Sequence, residues 1–566
     1  MPSHRSRPSF ALLPLAVAAL AFLAPFHGTA LAATEPPATT AAVAPRLVLF
    51  ISVDQMRADY LSRFASLFKG GLRRLAEQGA VFTEARYRHA CTETGPGHSV
   101  LLSGRSPRSS GIVGNTWYDR TLRKPVNVVD DATVQVLGGA GRTASPSYFN
   151  GFTVGDVLKA HSPSSRVVGV SLKDRAAILM AGKRADAAYW YESSGGRFVT
   201  SSWYMDEAPR WLAQWNARRV PDGYAGRSWQ RLLPDAASYL RLAGEDDVKG
   251  EWDGKRTTFP HAVSGAPPTL DYYDGLRRTP FADEILLEFA LAALKAHDLG
   301  TDPATDILAI SFSACDVIGH TYGPDSQEIM DQLLRLDRVL GRLFDEVDRQ
   351  AGRGRWLAVL TADHGVMPLV ELLQKRGLPA RRASGEEIEA PVRKALAARF
   401  PGATDILANH EPLTYPLSYV LDREALSRRG LAAGEVEQTI RQALLGTGLV
   451  DAVYAAPELM GSKPADDPYF DLHQRAFFAP RSGDLVARVK QYVYLGGYVG
   501  GTGHGTPYDY DRHVPIVFLG PGIAPGRRDV PCGPEDIAWT LGRLLGLDYP
   551  QQDAATDLLP LLKPAP

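Results

Sequence analysis

Three apolar runs in this chain stop on side chains that can bind a proton or a metal ion. The run "RLVLFISVD" (46–54) ends on Asp54, "DILAISFSACD" (306–316) ends on Asp316, and "WLAVLTADHG" (356–365) carries Asp363 and His364 just past its apolar part. One Asp behind a strand is ordinarily a turn residue or a helix cap. Three such ends, one with an adjacent histidine, imply a shared purpose. Asp316 and His320 stand four residues apart, the spacing that turns two side chains toward one helical face. His504 lies in "GGTGHGTPYD" (500–509), where glycines let the backbone approach a ligand closely. Imidazole and carboxylate donors without thiolate suit a borderline divalent ion such as zinc. Asp54, Asp316, His320, Asp363, His364 and His504 are enough ligands for two ions if a hydroxyl supplies one more.

The stretch "CTETGPGHSVLLSG" (91–104) offers hydroxyls at Thr92, Thr94 and Ser99, beside a helix expected to start near Pro96. Thr94 is either its cap or a nucleophile, and the two roles are compatible. A helix N-terminus presents free N–H groups and a positive dipole to phosphoryl oxygens. In "GVSLKDRAAILMAGK" (169–183), Lys173 and Arg175 follow a strand with one residue between them. In extended geometry both face one side and form a local cationic pair. The alternative is a solvated Lys-Asp-Arg turn.

The elements that must position these groups are strands and helices in alternation. Further apolar runs at "RVVGVSL" (166–172) and "HVPIVFLGPG" (513–522) read as strands buried on both faces, and "SQEIMDQLLRLDRVLGRLFDEVDRQ" (326–350) as an amphipathic helix. This is an α/β fold, a mostly parallel central sheet sandwiched by helices, with its ligand site at the carboxyl ends of the strands. Residues 190–280 and 391–494 fit the alternation poorly and read as insertions that cap the site. A chain of 566 residues, 45% hydrophobic, buries a large core. Its net charge of −1 excludes an overall pull toward nucleic acid or an anionic membrane. Residues 1–32 read as a cleaved export signal: arginines, an apolar stretch interrupted by Pro14 and Pro25, then Ala30-Leu31-Ala32. That predicts a periplasmic or secreted protein without a stable membrane anchor. Residues 33–45 are a Pro/Ala/Thr linker, and one catalytic domain is expected over 46–566. Three scattered cysteines make no disulfide framework, and at least one is unpaired within the chain.

Five blocks in order, "SVDQMR", "TETGPGHSVLLSG", "SFSACDVIGHTYGP", "TADHG" and "GTGHGTPYDYDRHVPIVFLGPG", resemble the alkaline phosphatase superfamily of two-zinc phosphoryl hydrolases. The resemblance spans nearly the whole mature chain. It implies that Thr94 is the nucleophile and forms a covalent phosphothreonine, hydrolysed in a second step. It also implies one zinc held by Asp54, Asp363 and His364 together with Thr94, and a second held by Asp316, His320 and His504. The pair Lys173 and Arg175, with Asn115 in "GIVGNTWYD" (111–119), looks like that of PafA-type periplasmic alkaline phosphatases. Cations near the nonbridging oxygens favour a small-molecule phosphate monoester over a diester, because the monoester carries more negative charge. The alternative is a nucleotide pyrophosphatase/phosphodiesterase, which shares the threonine, the asparagine and the six ligands. A noncatalytic phosphate or glycan binder has no need of an activated hydroxyl.

Overall fold

The computed structural model of the protein describes residues 44–252, 254–409, 417–461, 466–496 and 500–563. The expected export signal and nearly all of the linker lie outside the described residues. Among those described, no helix is long and apolar enough to cross a membrane.

The ten strands of the central sheet are β1 (Leu47–Val53), β2 (Ala80–Phe82), β3 (Val136–Leu137), β4 (Val167–Ser171) and β5 (Ala187–Glu192), then β6 (Arg197–Ser201), β7 (Asp306–Phe312), β8 (Trp356–Thr361), β9 (Ile516–Leu519) and β10 (Gly526–Arg528). They lie in the order β10-β2-β9-β8-β1-β7-β4-β5-β6-β3. From β8 to β5 the pairings are all parallel, so these five strands end at one edge. The run at 513–522 does form a strand, β9, but it pairs antiparallel to β8. Every residue of β1 and β7 is buried, which is what continuous apolar runs require at the centre of a two-faced sheet.

Helices cover the sheet. The amphipathic pattern at 326–350 becomes a helix over Gln327–Val347 that buries Ile329, Leu333, Leu336, Leu340, Leu343 and Val347, the three-and-four spacing that keeps one face on the sheet. The insertions begin at different places from those the sequence marks. Trp190 belongs to β5, and the chain leaves the central sheet only after Ser201. Its Tyr- and Trp-rich composition there belongs to the strand pair β5 and β6, next to the edge strand β3. Trp229, Tyr239, Tyr272 and Tyr273 of the following segment join the main core. The later insertion starts before Pro391, which lies inside the helix Gly385–Arg399. It has its own apolar core, running from Ala383 to Leu495, around the three-stranded sheet of Leu417–Tyr419, Val450–Ala455 and Leu485–Val489. All three cysteines are buried and free.

Candidate active site

Three of the parallel strands deliver acids to the shared edge. Asp54 follows β1, Asp363 and His364 follow β8, and Asp316 stands in the first turn of a helix, Ala314–Tyr322, that follows β7. The same helix carries His320, so the four-residue spacing does put both on one face, with His320 Nε2 3.2 Å from Asp316 Oδ1. His504 arrives from its glycine loop. Gly501 has φ +78° there, and an added Cβ would meet the His320 carbonyl at 2.3 Å, so only glycine lets the loop close on the helix. Each histidine has one ring nitrogen tied to a backbone carbonyl: His320 Nδ1 to Thr502 O at 2.8 Å, His504 Nδ1 to Thr92 O at 2.7 Å, His364 Nδ1 to Gly365 O at 3.0 Å. Nε2 is thereby left facing inward, the arrangement that orients a metal-ligating imidazole.

The donors form two neighbouring sets. Asp316 Oδ1, His320 Nε2 and His504 Nε2 lie 3.2–3.6 Å apart. Asp54 Oδ1 is 3.6 Å from His364 Nε2, which is 3.3 Å from Asp363 Oδ2. His364 stacks on His504 with ring centroids 3.5 Å apart, so it also comes within ligand reach of Asp316. His98 reaches the other set through Asp363. However, its Nδ1 is bonded to Thr94 O at 2.8 Å and its Nε2 to Ser311 Oγ at 2.8 Å, so it supports the set from behind. Burial, then the charges of Asp316 and Asp363, push the Asp54 carboxyl well up. Burial acts the same way on Asp316, but Lys173 and His320 outweigh it and hold that carboxyl well below the usual range.

Thr94 is the first residue of a helix over Thr94–Leu101, which therefore starts two residues before Pro96. Glu93 is the capping position, and Thr94 is a helical residue rather than the cap. The helix lies so close to β8's end that a Cβ on Gly97 would meet the Asp363 carbonyl at 2.2 Å. Lys173 Nζ lies 3.4 Å from Thr94 Oγ1 and 2.6 Å from both Asp54 Oδ2 and Asp316 Oδ2. Burial lowers the Lys173 pKa, yet the two carboxylates outweigh it and keep the ammonium charged. Lys173 and Arg175 do not share a face of an extended strand, because β4 ends at Ser171 and Arg175 falls in the first turn of the helix Asp174–Ala181. The Arg175 charge is felt at Glu93. That half-buried carboxyl is pushed up to about 7 by desolvation, opposed by the Asn115 N–H and the Arg175 charge. Glu93 Oε2 accepts from Asn115 N at 2.7 Å, and Asn115 Oδ1 accepts from Gly95 N at 2.7 Å, so Asn115 is fastened beside Thr94 by both its backbone and its side chain.

Three residues of this arrangement escape a reading of the sequence: Glu93, His98 and Gln55. Gln55 N donates to Asp363 Oδ1 at 3.1 Å and its Nε2 to Asp316 Oδ1 at 2.8 Å, joining the two donor sets. It does so at φ +70°, a conformation that costs a non-glycine residue energy and persists where surroundings impose it. Its one signal in the sequence is its place directly after Asp54.

The type I phosphodiesterase/nucleotide pyrophosphatase family matches residues 48–509. The chain is 34% identical over 524 residues to alkaline phosphatase PafA of Elizabethkingia meningoseptica, covering 90% of this chain and 93% of that one. It is 32% identical over 530 residues to alkaline phosphatase PhoV of Synechococcus elongatus, covering 92% and 93%. The crystal structure of PafA superposes with a TM-score of 0.83 at 32% identity over 91% of this chain and 99% of that one. Murine ectonucleotide pyrophosphatase/phosphodiesterase 5 shares the fold at a TM-score of 0.52 and 15% identity, over 91% and 100% of the two chains. With its acids gathered at one sheet edge and its threonine on the adjoining helix, this chain belongs to the type I phosphodiesterase/nucleotide pyrophosphatase family of the alkaline phosphatase superfamily.

Proposed function

We propose that this chain is an exported two-zinc phosphate monoester hydrolase that works through a phosphothreonine on Thr94. It is a phosphatase of its superfamily; the metal, the nucleophile, the substrate class and export are the proposal. The observation that carries it is the convergence of Lys173 on Thr94, Asp54 and Asp316 at the carboxyl edge of the sheet. The donor chemistry fits metal ions. Asp54 Oδ1 and His364 Nε2 face each other at 3.6 Å, buried, and neither has a hydrogen-bond partner, a costly pairing unless a cation lies between them. Asp54, Asp363, His364 and Thr94 would hold one zinc, and Asp316, His320 and His504 the other. Bound there, zinc supplies Lewis acidity to the attacking and departing oxygens.

The chain's own groups do the rest. The Thr94 backbone N–H at the start of its helix and the Lys173 ammonium neutralise the nonbridging oxygens. Asn115, held through its Oδ1 and its backbone N, keeps its Nδ2 to donate to a phosphoryl oxygen. Thr94 Oγ1 gives up its proton and bonds to phosphorus as the ester P–O bond breaks, and the departing alcohol takes a proton. Water then attacks the phosphothreonine, releasing inorganic phosphate and restoring the hydroxyl. Support for a monoester comes from Lys173 and from the span of similarity. The alkaline phosphatases match over about nine-tenths of the chain, while ectonucleotide pyrophosphatase/phosphodiesterase family member 7 of Rattus norvegicus matches over 66 residues. The test is zinc-loaded protein assayed on an aryl phosphate monoester and the matching diester. A preference for the diester overturns the reading.

A further inference from the structure

Away from the catalytic cluster, acids gather where the 246–262 segment meets the first turn of the helix Gln327–Val347. Glu251 is 1% exposed, and neither of its carboxylate oxygens has a hydrogen-bond partner. Glu328, in that first helical turn, is fully buried; its Oε1 lies 2.7 Å from His261 Nε2, and its Oε2 has no partner. Asp246 Oδ2 pairs with Arg231 at 2.7 Å, while Asp246 Oδ1 is buried without a partner. Asp247 accepts from Thr257 Oγ1 at 2.7 Å. Burial, then the charges of Glu328, Asp246 and Asp247, push Glu251 up to about 11. Three of the four carboxyl oxygens of Glu251 and Glu328 are thus buried with no hydrogen-bond partner.

Glu251 has little freedom to escape this environment. Gly250 O accepts from Gly501 N at 2.7 Å and from Arg382 at 3.2 Å, and Trp252 N donates to Thr321 O at 2.8 Å. The backbone is therefore pinned on both sides of Glu251, to the His504 loop and to the helix that carries His320. Unpaired acceptors held in the interior are costly, and an oxygen-only pair of carboxylates is the donor set that hard cations take.

We propose that Glu251 and Glu328 bind a hard divalent cation of the calcium and magnesium class at a site separate from the catalytic cluster. Two carboxylates leave most positions to water and main-chain carbonyls, which magnesium commonly keeps and calcium tolerates in irregular geometry. The ion ties the 250–252 strap to the helix behind it, and the strap in turn braces the His504 loop. The site does not depend on which metal the catalytic cluster holds.

The test uses the full zinc-loaded protein, titrated with calcium chloride and separately with magnesium chloride by calorimetry, with metal content measured after gel filtration. The expected result is about one equivalent of calcium or magnesium per chain, and a melting temperature that rises with the logarithm of free cation concentration. Glu251→Gln and Glu328→Gln should each lose that equivalent and the rise, with zinc content unchanged. Wild-type protein that binds neither cation and shows no rise overturns the proposal whether or not the variants fold, and assigns Glu251 a proton instead. Cation binding that survives both substitutions overturns it as well.

Discussion

Lys173 Nζ stands 2.6 Å from Asp316 Oδ2, and the same ammonium reaches Asp54 Oδ2 at 2.6 Å and Thr94 Oγ1 at 3.4 Å. One cation thus touches an acid from each donor set and the hydroxyl between them. A charge so placed meets the nonbridging oxygens of any phosphoryl group bonded to Thr94. Lys173→Ala should lower monoesterase kcat/KM by roughly two to three powers of ten, equivalent to about 2–4 kcal/mol of transition-state stabilisation. A weak diesterase activity should change much less, since a diester presents one fewer charged oxygen. Parallel loss of both activities would reassign Lys173 to supporting the fold or the metals.

Arg175 is expected to contribute less directly than Lys173, because it stands two residues further on, in the first turn of the helix Asp174–Ala181, and its charge is felt at Glu93. Arg175→Ala should weaken monoester turnover, and Glu93→Ala should do so through Asn115, whose N–H loses its acceptor. Glu93→Gln retains an acceptor oxygen and should recover most of the activity. Steady-state kinetics on one aryl phosphate decides among these, and equal loss in Glu93→Gln and Glu93→Ala would refute the role given to the Asn115 contact.

Thr94 occupies the first turn of a buried helix without acting as its cap. Thr94→Ala should therefore leave folding near normal while abolishing the covalent route, and Thr94→Ser should retain activity. Trapping with labelled substrate followed by mass spectrometry reads the phosphothreonine directly. Wild-type turnover in Thr94→Ala would eliminate it as nucleophile.

Metal removal should inactivate the enzyme, and zinc should restore it. Elemental analysis of the active protein is expected to find two zinc ions per chain, apart from any calcium or magnesium at Glu251. His320→Ala should weaken the ion beside Asp316, and Asp363→Ala the ion beside Thr94. His98→Ala should retain zinc but hold it less tightly, because His98 Nδ1 stands 3.1 Å from Asp363 Oδ2 and steadies a ligand rather than serving as one. An active protein with one zinc or none would refute the two-metal reading.

Asp511 is a pH probe outside the donor sets. It is fully buried, accepts from Thr506 N at 2.9 Å and from Thr506 Oγ1, and leaves Oδ1 without a partner. Burial pushes its carboxyl up from 3.8 to about 8, against the Thr506 and Gly505 bonds. A folded-state value above the unfolded one means stability present in full below the unfolded value and lost as pH rises through the folded one. Asp511→Asn keeps an acceptor for Thr506 and removes this loss. Relative to wild type, it should gain on the order of a few kcal/mol at about pH 9 and much less at about pH 5. Urea unfolding in chelator at the two values measures the difference, and an equal gain at both would refute the assignment.

Much of the donor set was legible in the chain itself. Asp54, Asp316, Asp363 and His364 are marked by apolar runs that stop beside them, and a parallel sheet necessarily carries such strand ends to one edge. The four-residue spacing of Asp316 and His320 placed them on one helical face, and "GGTGHGTPYD" marked a loop able to approach it. Other features depended on contacts between residues hundreds of positions apart, which no local pattern records. Lys173 reaches the cluster from the end of β4, and Arg175 follows it in the first turn of the helix Asp174–Ala181 rather than on an extended strand. Gln55 joins the two donor sets only because β1 and β7 lie side by side and β8 flanks them. The boundaries of the insertions followed the same rule: Trp190 and its aromatic neighbours look irregular in one dimension, and they form strands because β4 and the helices beside it supply hydrogen bonds and apolar surface that only the assembled sheet provides.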